Sequence, residues 1–326
     1  MKNTVLLLVA AAVGLSFPFW TSTFVFNLGI RILFFSLMVM SVGLFYRQLD
    51  RITLMPSVFF GIAAYTVGIL QVRFGFSFPI PVLAGLLFAL IAAMLVSLIV
   101  VRSGGVYFLM LTLVIGLAVW ALALQMTSLT GGTTGIIGLD APVIMGVSLG
   151  DSPLALYYMQ LVVFAFAVGL YLLTVHSRFG LIVRGIRESE SRMKSLGYPT
   201  YWLKCVTFTI SAFLAALGGV SFVYFYGLIN PDPIALSANV DALLAAILGG
   251  IGSLPGLLLG SGILKILDTV LSAYTSRYQL ISGIVFVIVI LFLPDGIFGL
   301  ITNREEGRSI RDLFRRYNSG LSRVDY

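Results

Sequence analysis

The residues able to do chemistry are few in this chain, and their types exclude most enzymes. It has one histidine, His176, and one cysteine, Cys205. A metal cage, a Cys–His pair or an internal disulfide therefore cannot be assembled within the chain. None of the four lysines follows a glycine, so no G-x-x-x-x-G-K-[ST] loop is available to cradle nucleotide phosphates. Gly250-Ile251-Gly252 opens like a dinucleotide fingerprint, but Pro255 stands where the third glycine belongs. No residue is assigned a catalytic or metal-binding role.

What remains is charge in unusual places. Arg31, Asp241, Lys265 and Asp268 lie in otherwise apolar stretches, where an ionisable side chain is costly and is a functional candidate by default. Arg31 is near an end of its stretch and can snorkel. Lys265 is deeper, with Asp268 three residues on and on the same helical face. Asp268 or Asp241 is expected to neutralise Lys265, either as a structural pair or as part of a pathway. A second feature is the segment from His176 to Pro199, the longest charged stretch between apolar runs. Glu188–Leu196 reads as a short helix with Glu188 and Glu190 at its start, where the macrodipole favours acids. Gly197 sits where a left-handed stop belongs, and Pro199 prevents continuation. The segment is either a solvated loop or a lever for an outside partner.

The elements that must carry these residues are membrane spans. Of the 326 residues, 59% are hydrophobic and only 10% charged, against about a quarter charged in soluble domains. Mean hydropathy is +1.06. Apolar runs long enough to cross about 30 Å of hydrocarbon recur along the chain. Expected spans are Thr4–Trp20, Asn27–Tyr46, Pro56–Gln71, Ile80–Val101, Gly105–Met126, Leu154–Val175, Lys204–Leu228, Ile234–Ile251, Leu254–Leu271 and Gln279–Phe298. The first follows Lys2 without a small-x-small cleavage pattern and reads as an uncleaved span. Pro56–Gln71 opens with proline, and Ile234–Ile251 ends in a glycine-rich break. Either could be a half-helix or a re-entrant segment. The fold expected is all-α and integral to the membrane, with one domain over 1–303, a loop over 176–204 and a basic tail over 304–326.

Charge sets the orientation. With ten crossings and the N-terminus inside, the inner segments hold Lys2, Arg47, Arg51, Arg102, six basic residues from Arg178 to Lys204 and six from Arg304 to Arg323. The outer segments hold Arg73 and Arg277 only. This is the asymmetry that the positive-inside rule requires. It also accounts for the net charge of +7 without nucleic acid. Both termini are then cytoplasmic, and the loop Thr127–Pro153 faces outward.

Several runs, in order from about residue 40 to residue 300, resemble the branched-chain amino-acid ABC importer permeases. They are Phe59-Phe60-Gly61-Ile62-Ala63-Ala64-Tyr65-Thr66, Gly105-Val106-Tyr107-Phe108-Leu109-Met110-Leu111-Thr112-Leu113 and Ser128-Leu129-Thr130-Gly131-Gly132-Thr133-Thr134-Gly135. The loop follows with Ser177-Arg178-Phe179-Gly180, Arg184-Gly185-Ile186-Arg187-Glu188, Glu190 and Leu196-Gly197. Leu248-Gly249-Gly250-Ile251-Gly252-Ser253-Leu254-Pro255-Gly256 and Leu293-Pro294-Asp295-Gly296-Ile297 complete the set. Asp241 falls where that family usually has an acidic residue, and the chain is more similar to the M-type of its two permeases.

The resemblance implies a type II-like importer permease in a bacterial or archaeal inner membrane. A second, related permease, two cytoplasmic ATPases and an extracytoplasmic solute-binding protein would be its partners. ATP and Mg²⁺ would be held by the ATPases, with no cofactor on this chain and no enzymatic activity of its own. Arg184, Arg187, Glu188, Glu190, Arg192 and Gly197 would couple to the ATPases. Tyr107, Thr112, Thr130, Gly131 and Gly132 are placed on the path. The chain departs from the family at Leu49–Ser57, where a Ser-Leu-Gly element is replaced, so amino acids other than branched-chain ones, amides or small organic acids stay open as substrates. A secondary transporter or channel is the alternative from another class.

Overall fold

The computed structural model describes residues 23–139, 142–144, 147–148 and 153–274, with 280, 283–284 and 296–298 as isolated positions. The expected spans Thr4–Trp20 and, in the main, Gln279–Phe298 lie outside the described residues, as does the tail 304–326.

The described chain is helical. In order come α1 (Thr23–Leu49), α2 (Pro56–Val72), α3 (Ile80–Val100), α4 (Gly105–Gln125), the one-turn α5 (Thr127–Thr130), α6 (Pro153–His176), α7 (Arg178–Glu188), α8 (Glu190–Ser195), α9 (Thr200–Tyr226), α10 (Leu236–Gly249) and α11 (Leu254–Tyr274). Six of them, α1, α3, α4, α6, α9 and α11, are long and apolar enough to cross a membrane. Helix is the form such a sequence must take, because hydrocarbon offers no partner to a backbone N–H or C=O. Prolines enter at helix starts, as with Pro56 of α2 and Pro81 of α3, where the missing N–H costs nothing.

The two spans whose regularity was in question resolve differently. α2 is an unbroken helix of 17 residues. α10 has only 14 residues and reaches about 21 Å, short of the roughly 30 Å core. A 3-10 turn, Asp232–Ile234, opens it and Gly250 closes it. Short strands that composition did not announce follow α5 and α9. β1 (Ile136–Ile137) pairs antiparallel with β4 (Leu228–Ile229), and β2 (Val143–Ile144) pairs with β3 (Val147–Ser148).

α1 and α9 form the axis. They pack against each other, and 72% of each apolar window is buried. α3, α4 and α6 lie at the rim, 22% to 28% buried, with Leu83, Leu95 and Leu173 facing outward as expected of a hydrocarbon-facing surface. Interhelical hydrogen bonds pin the axis. Ser41 and Ser211 hydroxyls meet at 3.0 Å, and Ser36 and Ser261 at 2.6 Å. Ser57 N–H, at the start of α2, donates to Asn239 Oδ1 at 3.0 Å, and Asn239 Nδ2 donates to Ser57 Oγ at 2.6 Å. That exchange fixes the short α10 to α2. α10 also lies close on α11, because a Cβ on Gly260 would sit 1.9 Å from the Ala245 carbonyl oxygen. Only small residues permit such an approach.

Candidate functional site

The loop after α6 is built from caps. The Ser177 hydroxyl accepts from Gly180 N–H at 3.2 Å and starts α7. The predicted single helix over Glu188–Leu196 is corrected here: α7 starts at Arg178 and ends at Glu188, and α8 begins at Glu190. Ser189 between them is extended, and its hydroxyl accepts from Arg192 N–H at 3.4 Å. A serine that can cap competes with helix continuation. Glu188 therefore closes α7, exposed, and only Glu190 opens a helix. Gly197 does adopt the left-handed stop, at φ +84°, and with Pro199 it turns the chain into α9.

That turn brings together residues the sequence kept apart. Glu190 Oε1 accepts from Lys204 Nζ at 2.9 Å and lies 3.0 Å from Lys194 Nζ. The Lys204 side chain is only 7% exposed. Burial alone would raise the Glu190 carboxyl, but the hydrogen bonds and charges of Lys204 and Lys194 outweigh it and hold the group at about 2. On the other side, Arg187 donates to the Arg47 carbonyl at 3.1 Å and to Asp50 Oδ1 at 3.3 Å. Val183 and Ile186 are buried where α7 packs on α1 and α9. The loop is thus clamped to both axial helices. Arg184, half-buried, and the exposed Arg192 form no ion pair among the described residues. Lys204, Arg47 and Asp50 were missed as parts of this unit. The one available signal was a lone lysine near the start of a long apolar helix.

A second polar region is a cavity of about 750 Å³ between α1, α9, α10 and α11, and Arg31, Asp241, Lys265 and Asp268 all lie on its wall. Lys265 Nζ is 3.6 Å from Asp268 Oδ2 and 4.1 Å from the centre of the Phe35 ring. The expected pair is therefore formed with Asp268, not with Asp241. Arg31 stacks over Tyr226 at 5.6 Å, and its Nε is buried with no hydrogen-bond partner among the described residues. Asp241 makes no hydrogen bond or ion pair with a described residue.

The residues expected on the path lie outside this cavity. Tyr107 is 78% exposed on the outer face of α4. Thr112 is buried, donating to the Leu109 carbonyl at 2.8 Å and accepting from Leu54 N–H at 3.3 Å. Thr130 is buried and donates to the Ala123 carbonyl at 2.7 Å, while Gly131 and Gly132 turn the chain with positive φ. None of the five lines the charged cavity.

A sequence profile described as "Branched-chain amino acid transport system / permease component" matches residues 24–294. The chain belongs to that family. Among its relatives, the high-affinity branched-chain amino acid transport system permease protein LivH of Escherichia coli K12 is 38% identical over 141 residues, 43% of this chain and 46% of that protein. BraD of Pseudomonas aeruginosa is 36% identical over 148 residues, 44% and 48% of the two chains. LivM of E. coli K12 is 23% identical over 321 residues, covering 91% of this chain and 75% of that protein. The chain thus spans about half the length of the LivH-type relatives and three quarters of LivM. Within this permease family its likeness is local and stronger to LivH, longer and weaker to LivM. Membership agrees with the six apolar helices: the chain is a multi-pass membrane protein.

Proposed function

We propose that this chain is the membrane-spanning subunit of an ATP-binding-cassette importer for branched-chain or related amino acids. Separate ATPase subunits hold ATP and Mg²⁺, a second permease completes the path, and an extracytoplasmic binding protein delivers the substrate. The membrane is the inner one, with the 176–204 loop in the cytoplasm.

The observation that carries this reading is the clamped loop. α7 and α8 are held by Glu190 to Lys204 on α9 and by Arg187 to the Arg47–Asp50 end of α1. A force applied to α7–α8 therefore acts on the two most buried helices of the bundle. An exposed loop without those contacts would absorb the push by its own motion. ATP-driven closure of the ATPases would tilt the axial pair and alternate access to the path. Arg184, Glu188 and Arg192, which contribute no ion pair to the clamp, are left to face the ATPase.

The test is uptake by the reconstituted complex. With Glu188→Lys and Glu190→Lys together, ATP turnover should persist while amino-acid uptake falls by about tenfold or more. Undiminished coupled uptake in that double variant would sink the coupling role. Labelling of a cysteine placed at Ser195 from the outer side alone would sink the orientation.

A further inference from the structure

The charged cavity carries chemistry that the coupling loop does not explain. Its four ionisable residues sum to zero charge when all are ionised, yet they are not paired two by two. Lys265 is matched with Asp268 at 3.6 Å. Arg31 and Asp241, one cation and one anion on the same wall, form no ion pair among the described residues, although Asp241 also feels the charges of Lys265 and Asp268. Arg31 Nε is buried without a hydrogen-bond partner among the described residues. An unmatched buried donor is costly, so a site that retains one gains from a ligand that supplies the acceptor. Phe34, Met38, Phe222 and Leu244 give the wall apolar surface, beside the hydroxyl-bearing Tyr226, Ser237, Thr269 and Ser272.

We propose that this cavity binds the head group of a zwitterionic α-amino acid, Arg31 receiving the carboxylate and Asp241 the ammonium, with the apolar side chain against Phe34, Met38 and Phe222. The inference deepens the importer reading and rests on it for the ligand's class. A zwitterion adds no net charge to the cavity and satisfies both leftover groups at once. A simple carboxylate would leave Asp241 facing a second anion, and an amine would leave Arg31 unmatched, each in a low dielectric where an unpaired charge is costly. Guanidinium suits a carboxylate because its N–H fork matches the two oxygens. The volume also fits, since about 750 Å³ lies within the roughly 300–1,000 Å³ of small-molecule sites. The pairing of Lys265 with Asp268 keeps Lys265 from competing for the carboxylate.

The measurement is equilibrium binding of radiolabelled leucine to the purified full chain, with the subunits that copurify, in lipid nanodiscs. 4-Methylpentanoate and isoamylamine, which lack the amine and the carboxylate respectively, serve as competitors. Leucine should bind, and each competitor should be at least about tenfold weaker. Asp241→Asn and Arg31→Gln should each weaken leucine by about tenfold or more. In Asp241→Asn the gap between leucine and 4-methylpentanoate should close, a change that general loss of folding would not produce. Leucine binding unchanged in both variants, or the gap persisting in Asp241→Asn, overturns the site. ATP-driven uptake that continues unaffected by both substitutions also overturns the site while leaving the importer reading intact. Binding that depends on Asp241 without any ATP-driven uptake supports the site and removes the importer.

Discussion

Among the described residues, two regions concentrate charge, and they are finished in opposite ways. In the loop, Glu190 is shared by Lys194 and Lys204, and Arg187 is taken up by Asp50 and the Arg47 carbonyl. Its core groups find partners within the chain. In the cavity, among the described residues, one ion pair forms, while Arg31 and Asp241 join no ion pair. The difference separates charge that builds the structure from charge left for something else. A matched cluster stiffens the element that carries it, whereas an unmatched one in apolar surroundings is retained at a cost in stability.

The most severe challenge to the loop as a matched cluster is Glu190→Lys. It places a third cation beside Lys194 and the mostly buried Lys204, so α8 should detach and uptake should fall by about tenfold or more. Glu188→Lys, on an exposed residue outside the clamp, should leave protease protection of the loop at the wild-type level. Equal loss of protection in the two would erase the distinction the structure draws between these acids.

In the cavity, Lys265→Met removes one ion-pair partner of Asp268, and a melting curve of the purified protein should show a loss of about 2 kcal/mol. Adding Asp268→Asn should recover part of it. No recovery would mean that the 3.6 Å pair is not what holds Lys265. A smaller contrast lies between the two lysines on Glu190. Lys204→Met should cost about 1–2 kcal/mol because its ammonium is buried, and Lys194→Met less than about 0.5 kcal/mol because its side chain is exposed.

The smallest effect is on acidity. Glu190 is held at about 2, below its ordinary 4.5. A depressed carboxyl contributes stability that is complete above pH 4.5 and is lost as pH falls toward 2. Limited proteolysis of the loop should therefore be flat from pH 7 to 5 and accelerate below 4.5. Glu190→Gln should remove that dependence.

Much of this was legible from residue order. Composition, span lengths and the sparseness of charge announce a membrane bundle, and the structure gives six long apolar helices with α2 and α10 as the short ones. Gly197 as a helix stop was readable because a left-handed position before a proline leaves few alternatives. The Lys265–Asp268 pair was readable because three residues along a helix share a face. The break at Ser189 was not, since a serine between good helix formers is ambiguous until its hydroxyl has a specific N–H to accept from. Nor was Lys204, whose partner lies 14 residues away across a turn.

By itself, then, the sequence determined the solvent: apolar runs of that length and so few charges dictate helices whose backbones satisfy themselves. It also placed Lys265 and Asp268 on one helical face. The tertiary structure alone decided which charges meet. The reversal at Gly197–Pro199 joins Glu190 to Lys204, and the packing of α1, α9, α10 and α11 brings Arg31 and Asp241 onto one wall without bonding them. Those meetings depend on how helices distant in sequence cross, and helical periodicity carries no information about that.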